Sequence, residues 1–580
     1  MVAVLNDSIK SLALKFALKN AIDYGSAKVA PVLGMLLAEK PELRADLKGL
    51  EKELEEIVGT VNRMSKGALL EAYAPYREEF EEKERKKKEQ TSAPNMVLEG
   101  AVVGNFAARF PPEPNGYMHI GNAKQAFLSQ EFAKKYKGKL FLYFDDTNPD
   151  KDKQEFVEAI KQDAQWLGIK FDGEYYASDM IEQIHGYAME LIEQGGAYVC
   201  FCDKDTINKN RANKRECQHR SQAPSENAEY FKRMLTGDYK EGSAVVRFKG
   251  DMGSENTVMR DPTLLRIKLH PHYRQGSKYK VWPTYYFNTP INDSVHGITD
   301  AIRSKEYELS DDLYKAVLLA LGMRVPRVHD MARLKIIGTS THKRELKELI
   351  EKGYVSGYDD PRLVTIAALR RRGIEPEAIR RFVLRFGMSK TDSAVSMSML
   401  LAENRKLIDG VAKRLFLVTE PFEVDVSGLR SSEVSLRLHP SANIGFRKYA
   451  VSSKFYIEKR DAGKLHVNSI FCLKDLACVK VIKLLGNKIE ASFVEPSPEL
   501  LASAPKLQWV NEGNCMQCKV ALVGDLMVNG KYNSSSLVIK QGLVEAYAKE
   551  LREGDTVNFE RVGFFKLDKM EQGIPMFLSL

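Results

Sequence analysis

A histidine, a glycine and an asparagine follow a proline-rich segment in RFPPEPNGYMHIGNAK, residues 109–124. Three prolines and an Asn-Gly pair predict an irregular segment, and the next residues, AKQAFLSQEFAKKY, have helical spacing of apolar side chains. Residues 118–122 are therefore predicted at a helix start with free backbone N–H groups, where a phosphate is held easily. Gly121 would allow close approach of a phosphate, and His119 and Asn122 would donate hydrogen bonds to it. The alternative is an ordinary turn.

Two adjacent cations, Lys343 and Arg344, lie in a Gly/Ser/Thr-rich loop that precedes a helix, within RLKIIGTSTHKRELKELIEKGYVSGYDDPRL. Such a pair suits a polyphosphate whose charge increases during a reaction. A solvated helix face is the alternative interpretation. The pair therefore indicates a second phosphate-binding element, far from the first in sequence.

Acidic and basic groups that suit a small zwitterion occur between these two elements. Asp145, in YFDDTNP at the end of a predicted strand, could hold an ammonium group, whereas we expect Asp146 to form an Asx-type turn. Tyr285 and Arg303 could reach a small acidic ligand, with Arg303 binding a carboxylate through two N–H groups. A surface ion pair is the alternative for Arg303.

A Cys-x-Cys pair and a Cys-x-His pair occur in AYVCFCDKDTINKNRANKRECQHR, as Cys200, Cys202, Cys217 and His219. Four such ligands suit tetrahedral Zn²⁺, and because no open position is implied, a structural role is predicted. Reduced cysteines in an apolar setting are the alternative, but these stand among charged residues. Cys515 with Cys518 is a lone C-x-x-C, and Cys472 with Cys478 is too loosely spaced to complete it.

The segments that must position these residues alternate between strands and helices. VLEGAVVGNFAARF and GKLFLYFDD are predicted strands, and EFVEAIKQDAQWLGI a helix. Such alternation predicts a doubly wound parallel sheet. Helices dominate residues 1–90 and 358–395, and from about Phe416 short strands with turn residues predict antiparallel barrels.

Composition is that of an ordinary globular protein: 580 residues, 44% hydrophobic and 28% charged, with a net charge of +9. No apolar run approaches the roughly 20 residues of a membrane helix. The N-terminal residues lack a signal-peptide pattern, and seven cysteines make a disulfide framework unfavoured. We therefore expect a cytoplasmic protein without a membrane segment.

In sequence order, RFPPEPNGYMHIG, FDDTNP, MRDPTL, PTYYF, GITDAIR, the Lys-Arg loop and GYDDPRL resemble a class I glutamyl-tRNA synthetase of the archaeal and eukaryotic type. The resemblance is strong over residues 98–375 and looser over the whole chain. It implies formation of glutamyl-adenylate from ATP, with Mg²⁺, and transfer of the glutamyl group to the tRNA for glutamate. Whether the tRNA for glutamine is also charged stays open. The sequence-based expectation is a monomer.

The resemblance also implies roles for individual residues. His119, Gly121 and Asn122 correspond to the His-Ile-Gly-His motif and Lys343 to the second lysine of the Lys-Met-Ser-Lys-Ser loop. Both motifs bind ATP and are catalytic in the family, and Arg344 is expected to bind ATP as well. The corresponding glutamate-binding residues are Arg109, Asp145, Tyr285 and Arg303. A similar zinc-binding segment occurs in many glutamyl synthetases.

Three features depart from the family pattern. Asn122 replaces the second histidine, and His342-Lys343-Arg344-Glu345 replaces the usual Ser-Lys-Arg-Lys. Tyr143 stands where relatives carry arginine. Because of these three differences, a second hypothesis stays open beside that of an enzyme: an RNA-binding protein that descends from a synthetase but has lost catalysis.

The sibling family, glutaminyl-tRNA synthetase, shares most of these motifs but has a small uncharged residue at the position of Arg303. A buried guanidinium without a carboxylate would be costly. Arg303 therefore favours glutamate over glutamine as the amino acid.

By this resemblance the fold class is multidomain α/β and β, with a Rossmann-like catalytic domain. Arg437, Arg447 and Lys448 are candidate RNA contacts in the C-terminal barrels, with ordinary surface charges as the alternative. The predicted domains are an N-terminal helical domain (1–92), the first catalytic half (98–199), an inserted acceptor-binding domain with zinc (200–280), the second catalytic half (281–350), a helical connecting domain (351–414) and anticodon-binding β-barrels (415–580).

Overall fold

The computed structural model describes residues 7–40, 43, 47–91, 96–430 and 433–580. It forms two compact units, Met1–Pro94 and Asn95–Leu580. Residues 1–6 of the predicted N-terminal helical domain, and residues 92–95 at its end, lie outside the described residues. In the described part of the chain, no helix combines the length and apolar character needed to cross a lipid bilayer.

The N-terminal unit is helical, as its sequence predicts. Its core contains aliphatic and aromatic side chains, and Ala17, Leu36 and Leu54 within it are inaccessible to water. Burial of these side chains is what stabilises such short helices. The helices are α1 (Asp7–Tyr24), α2 (Val29–Glu39), α3 (Leu47–Asn62) and α4 (Lys66–Thr91).

A parallel sheet forms the first layer of the second unit. Strands β1, β2 and β3 pair in parallel in that order, and β8, which pairs in parallel with β9, lies beside β1 through a bond from the Thr299 N–H to the Ala107 carbonyl. The predicted parallel sheet is therefore present. Its elements are β1 (Ala107–Phe110), α5 (Ile120–Lys135), β2 (Lys139–Phe144), α6 (Gln154–Trp166), β3 (Gly173–Tyr176), α10 (Tyr285–Val295), β8 (Asp300–Ser304), α11 (Asp311–Ala320) and β9 (Arg327–Met331).

An antiparallel sheet of four strands, in the order β4-β5-β6-β7, interrupts the parallel sheet in sequence. Its apolar face and two helices, α7 and α9, share a core with α10 and α11, which include the buried Phe287 and Leu313. This core fixes the insertion against the parallel sheet. Its elements are α7 (Ile181–Glu193), β4 (Ala197–Cys200), α8 (Lys204–Ala212), α9 (Pro224–Thr236), β5 (Val245–Phe248), β6 (Thr263–Ile267) and β7 (Val281–Pro283).

A mainly helical segment follows the parallel sheet. Strands β10 and β11 pair in parallel, and α14 packs against α5. The segment thus covers the helix that starts at the His-Ile-Gly-Asn motif. Its elements are β10 (Leu334–Ile337), α12 (Lys343–Glu351), α13 (Ile366–Arg372), α14 (Pro376–Leu384), β11 (Ser393–Ser396) and α15 (Met397–Ile408).

Two seven-stranded sheets dominate the C-terminal part, in the orders β21-β18-β19-β20-β14-β17-β22 and β12-β27-β28-β29-β23-β26-β13. The prediction of antiparallel pairing is wrong in part, because β14–β20, β18–β21, β23–β29 and β12–β27 pair in parallel. The first elements are β12 (Lys413–Leu415), β13 (Leu417–Val418), β14 (Pro421–Ser427), β15 (Glu433–Arg437), β16 (Phe446–Ala450), β17 (Lys454–Glu458), α16 (Lys459–Ala462), β18 (Ile470–Leu473), β19 (Ala477–Leu485), β20 (Lys488–Val494) and α17 (Pro498–Ser503). The remaining strands are β21 (Lys506–Leu507), β22 (Val510–Asn511), β23 (Cys515–Val523), β24 (Met527–Val528), β25 (Lys531–Tyr532), β26 (Leu537–Glu545), β27 (Thr556–Phe559), β28 (Gly563–Glu571) and β29 (Ile574–Ser579).

Two local predictions differ from the structure. The predicted strand over residues 97–110 is regular only at Ala107–Phe110, because Gly100 and Gly104 adopt positive φ angles of 73° and 80° in turns. The cysteines are also not all reduced: Cys472 and Cys478 are directly opposed on β18 and β19 and form a disulfide.

Candidate functional site

One cavity, of about 530 Å³, lies beside the carboxyl ends of β1, β2 and β8. Its volume is in the range of small-molecule sites, and this edge of a parallel sheet is where such folds bind ligands. Arg344 is exposed and does not line it. The predicted residues that do line it are Arg109, His119, Gly121, Asn122, Asp145, Tyr285, Arg303 and Lys343.

His119 is the N-cap of α5 and forms a capping box with Asn122. Its backbone N–H donates to Asn122 Oδ1 (3.0 Å), and its Nδ1 accepts from the Gly121 N–H (3.0 Å). Because Nδ1 is an acceptor, the hydrogen-bond network assigns the ring proton to Nε2. Asn122 keeps its amide N–H₂ group for a ligand. The replacement of the family's second histidine by Asn122 therefore still leaves a hydrogen-bond donor at this position.

Three of the predicted free backbone N–H groups at this helix start have hydrogen-bond partners within the protein. The His119 and Gly121 N–H groups are used by the capping box, and that of Ile120 donates to the Val364 carbonyl (3.0 Å). The side chains of the motif, rather than these three peptide N–H groups, are therefore the donors available to an anion.

Gly121 is required for the position of the His119 ring. A Cβ atom at residue 121 would lie 2.8 Å from Cε1 and 3.0 Å from Nδ1 of His119. Real Cβ atoms do not approach so closely, so any other residue would displace the imidazole or the helix start. The glycine thus serves ring placement as well as access to the backbone.

Lys343 is the first residue of α12 and reaches across to the proline-rich loop. Its Nζ donates to the Glu113 carbonyl (3.3 Å), and its stem packs on Gly116, where an added Cβ would lie 3.2 Å from Cδ. The two sequence elements predicted to bind phosphate are therefore in contact. Glu345, which replaces a family lysine, hydrogen-bonds Ser340 within its own loop.

The imidazole of His119 lies in an environment that disfavours its protonation. Burial, and then the positive charge of Lys343, lower its pKa to about 4. At neutral pH the ring is uncharged and offers one N–H donor. Lys343 thus supplies the positive charge at this end of the cavity, while His119 supplies a directed hydrogen bond.

The opposite end of the cavity carries a saturated ion pair. Arg109 binds Asp293 through Nε (2.9 Å) and Nη2 (3.0 Å), and its Nη1 donates to the Ile302 carbonyl (3.1 Å). Burial disfavours the charge, but the adjacent carboxylate raises the pKa of Arg109 above its usual value. Arg109 is therefore a fixed cation.

Asp145 accepts a hydrogen bond from Asn288 Nδ2 (2.8 Å) and lines the cavity. Burial, together with the carboxylates of Glu113 and Asp146, raises the pKa of Asp145 to about 7. A cationic ligand would stabilise its ionised form. Asp145 can therefore discriminate for an ammonium group.

Asp146 does not form the predicted Asx-type turn. It accepts from the N–H and hydroxyl of Ser178 (both 2.8 Å) and from the Tyr273 hydroxyl (2.9 Å), all distant in sequence. It therefore joins β2 to the insertion. Short-range bonds in this loop instead run from the Asn148 N–H to Asp152 Oδ2 (2.7 Å) and from the Thr147 hydroxyl to Asp145 Oδ1 (3.4 Å).

Arg303 is already neutralised by protein carboxylates, contrary to the sequence-based argument for glutamate. It forms ion pairs with Asp311 and with Asp330, whose Oδ1 lies 3.4 Å from Nε. Its Nη1 has no hydrogen-bond partner among the described residues. Tyr285, next to it in the cavity wall, stacks on Tyr307 with ring centroids 4.3 Å apart.

Several cavity residues are not predicted from the sequence. Lys124, on α5, is buried and donates to the Ala332 carbonyl (2.8 Å), and burial lowers its pKa to about 8. The one feature of the sequence that could have indicated Lys124 is its position five residues after His119, near the start of the same helix. Tyr143, which stands where relatives carry arginine, is buried and does not line the cavity. This difference from the family pattern therefore affects the packing of the interior and not the cavity wall. The other unpredicted residues include Glu113, Gln125, Arg266 and Tyr307.

The four predicted metal ligands converge in the insertion. Sγ of Cys200 lies 3.7 Å from Sγ of Cys217, and Nδ1 of His219 lies 3.6 Å from Sγ of Cys202 and 3.9 Å from the other two sulfurs. Tetrahedral Zn²⁺ with its usual bond lengths places such ligands about 3.5–3.8 Å apart. The residues therefore fit zinc.

Arginines predicted to contact RNA lie in the C-terminal part. Arg437 and Arg447 line a cavity of about 430 Å³, where Nε of Arg447 pairs with Glu545 (2.8 Å). Lys448 does not line this cavity. Cys515 and Cys518 are three residues apart on one strand, so their side chains point to opposite faces and do not form a chelating pair.

Comparison with known proteins gives family matches along most of the chain. Residues 105–409 match the catalytic domain of class I tRNA synthetases (E and Q), and residues 412–495 and 506–568 match two anti-codon binding domains of that family. Glutamate–tRNA ligases are similar over nearly the full length: those of Nitrosopumilus maritimus (39% identity; 98% of this chain, 99% of the relative), Cenarchaeum symbiosum (39%; 97% and 98%) and Pyrococcus furiosus (38%; 97% and 98%).

The electrostatic state of His119 can be tested by NMR. Because its pKa is lowered to about 4, we expect its imidazole signals to stay those of the neutral ring from pH 8 to pH 5. The variant K343A should raise this pKa, whereas K347A, which removes an exposed lysine of the same helix, should not. A wild-type midpoint near the ordinary 6.5 would contradict the geometry of this wall.

Proposed function

This chain belongs to the class I tRNA synthetases of the E and Q type, and we propose that it is a glutamate–tRNA ligase. The choice of glutamate rests on relatives of that name at up to 39% identity over 98% of the chain. The reaction class rests on one structural observation. His119 and Lys343, which are 224 residues apart (343 − 119), line the same cavity as Asp145 and Arg303.

The first chemical step joins glutamate to AMP. An oxygen of the α-carboxylate attacks the α-phosphorus of ATP, and pyrophosphate leaves. His119 Nε2 and Asn122 Nδ2 would donate to phosphate oxygens, while Lys343 would neutralise charge that grows on the leaving group. Mg²⁺ would accompany the triphosphate as part of the substrate.

Recognition of glutamate uses the opposite end of the cavity. Ionised Asp145 would bind the ammonium group, and Nη1 of Arg303 would bind the side-chain carboxylate. Arg109 and Tyr285 would complete the pocket. Since Arg303 already has two protein carboxylates, the discrimination against glutamine must come from directed hydrogen bonds as well as from charge.

The second step transfers the glutamyl group to a terminal ribose hydroxyl of tRNA. The hydroxyl oxygen attacks the carbonyl carbon, its proton is released, and AMP leaves without a covalent enzyme intermediate. Catalysis consists of positioning and charge stabilisation. Asp145, by holding the amino group, would keep the carbonyl fixed in both steps.

The remaining parts would serve tRNA binding. The insertion (200–280) would receive the acceptor end, between catalytic halves at 98–199 and 281–350. Residues 351–414 would form a helical connection to barrels (415–580) in which the exposed Arg437 and Lys448 contact the anticodon, whereas Arg447 is buried against Glu545. The N-terminal helical domain (1–92) would contact tRNA or a partner, and the protein would act as a cytoplasmic monomer.

A structural zinc ion is part of the proposal. Cys200, Cys202, Cys217 and His219 would hold it with all four positions filled, so it would stabilise the insertion rather than take part in the reaction.

The direct test is aminoacylation with purified tRNA. We expect labelled glutamate to be attached to the tRNA for glutamate, with K343A lowering kcat by about 100- to 1,000-fold because one stabilising charge is lost. K347A, on the same helix but outside the cavity, is the control. Faster charging with glutamine would overturn the amino-acid assignment, and no charging of either tRNA would favour an RNA-binding protein without catalysis. Both tRNAs should be tested.

The pH dependence of glutamate binding tests Asp145. Because its pKa in the free protein is raised to about 7, the binding-competent carboxylate is lost as pH falls through 7. We expect the KM for glutamate to be about tenfold higher at pH 6 than at pH 8, because a carboxyl with a pKa of about 7 is about one-eleventh ionised at pH 6 and about ten-elevenths ionised at pH 8. D145N should have a high KM without this dependence, whereas D150N, an exposed neighbour, should retain it. An unchanged wild-type KM would count against the ammonium role.

Zinc content and chelation test the metal site. Protein prepared in metal-free buffer with one equivalent of zinc should contain about one zinc per chain, and a strong chelator should lower its melting temperature. C202S should lose the metal, and C515S, outside the cluster, should keep it. Absence of zinc together with unchanged melting would remove this part of the proposal.

A further inference from the structure

A buried arginine lies against the four candidate metal ligands. Arg247, on β5, is 1% exposed, and its Nη1 is 3.9 Å from Sγ of Cys200 and 3.8 Å from Sγ of Cys217. Its Nε donates to the backbone carbonyl of Asp261 (2.8 Å). The guanidinium is thus held at both ends, with one amino group directed at the two buried sulfurs.

Arg247 has no carboxylate within ion-pair distance in the described part of the protein. The nearby Asp261 carboxylate is engaged elsewhere: it accepts from Arg220 Nε (3.0 Å), the Tyr198 hydroxyl (2.9 Å) and the Gly250 N–H (2.9 Å). A buried guanidinium without an anion is strongly unfavourable. The groups left to supply negative charge to Arg247 are the cysteine sulfurs.

The charge of a loaded cluster matches this requirement. Zn²⁺ with three thiolates and one neutral imidazole carries a net charge of −1 (2 − 3), and Arg247 carries +1. Its amino group reaches Cys200 and Cys217, the more buried sulfurs, whereas Cys202 is half-buried and closer to water. The arginine therefore compensates the sulfurs that solvent reaches least.

We propose that Arg247 neutralises the zinc–thiolate cluster and, as a positioning residue, sets its affinity for the metal. The inference rests on the zinc site proposed above. The competing interpretation is purely structural: Arg247 holds the backbone at Asp261 and has no influence on the metal. The two roles predict different zinc affinities for a variant that lacks the Arg247 charge, whereas both allow a loss of fold stability.

The test is competition for zinc between the full-length protein and a chromophoric chelator. Removal of an outer partner of a metal site typically lowers affinity about 10- to 100-fold, and we expect that loss in R247Q. R247K, which keeps the charge, should stay within about fivefold of the wild type. R260Q is the matched control, because Arg260 is also buried in the insertion but donates to the carbonyls of Ser254 and Arg211 and not to sulfur.

The outcomes separate the two proposals. A wild-type protein without zinc removes the zinc site itself. Zinc bound equally well by the wild type and folded R247Q, or an equal loss in R260Q, overturns the role of Arg247 alone. Should R247Q fail to fold in excess zinc, R247M, which also removes the charge, is measured in its place: a zinc affinity equal to that of the wild type overturns the role of Arg247, and a loss that R247K and R260Q do not share supports it.

Discussion

The candidate site depends on a pair of backbone hydrogen bonds between distant segments. The Ile120 N–H donates to the Val364 carbonyl (3.0 Å), and the Ile366 N–H donates to the Met118 carbonyl (2.9 Å). This pairing fixes the start of α5 against the segment that follows the Lys343 helix. Since Lys343 then reaches the Glu113 carbonyl, both walls of this end of the cavity, where we propose that phosphate binds, are positioned by one local arrangement rather than by the sheet alone.

The two ends of the cavity differ in their electrostatic environment. Toward α5, the neutral imidazole of His119 and the ammonium group of Lys343 can bind an anion with one directed N–H donor and one positive charge. Toward β8, cations are already paired: Arg109 with Asp293, and Arg303 with Asp311 and Asp330. The carboxylate of Asp145 also lines this end of the cavity. Such a division suits a substrate with a polyphosphate at one end and a zwitterionic amino acid at the other.

Much of this arrangement could be predicted from the sequence, because residue types and motif order carried it. The convergence of His119 with Lys343, and of the four candidate metal ligands, follows the sequence-based prediction. The predictions that were wrong depended on hydrogen-bond partners far away in the chain. Asp146 accepts from the Ser178 N–H, and the Ile120 N–H donates to the Val364 carbonyl. The carboxylates around Arg303 also lie on elements whose pairing no local pattern reveals.

The central claim is that His119 and Lys343 act together on one phosphate chain. A double-mutant cycle of H119A and K343A, measured as kcat/KM for ATP in tRNA-dependent pyrophosphate exchange, tests it most directly. Groups that share a ligand couple by about 0.5–3 kcal/mol, and the account predicts a coupling within that range. Effects that add within about 0.5 kcal/mol, as expected for independent and distant sites, would contradict it.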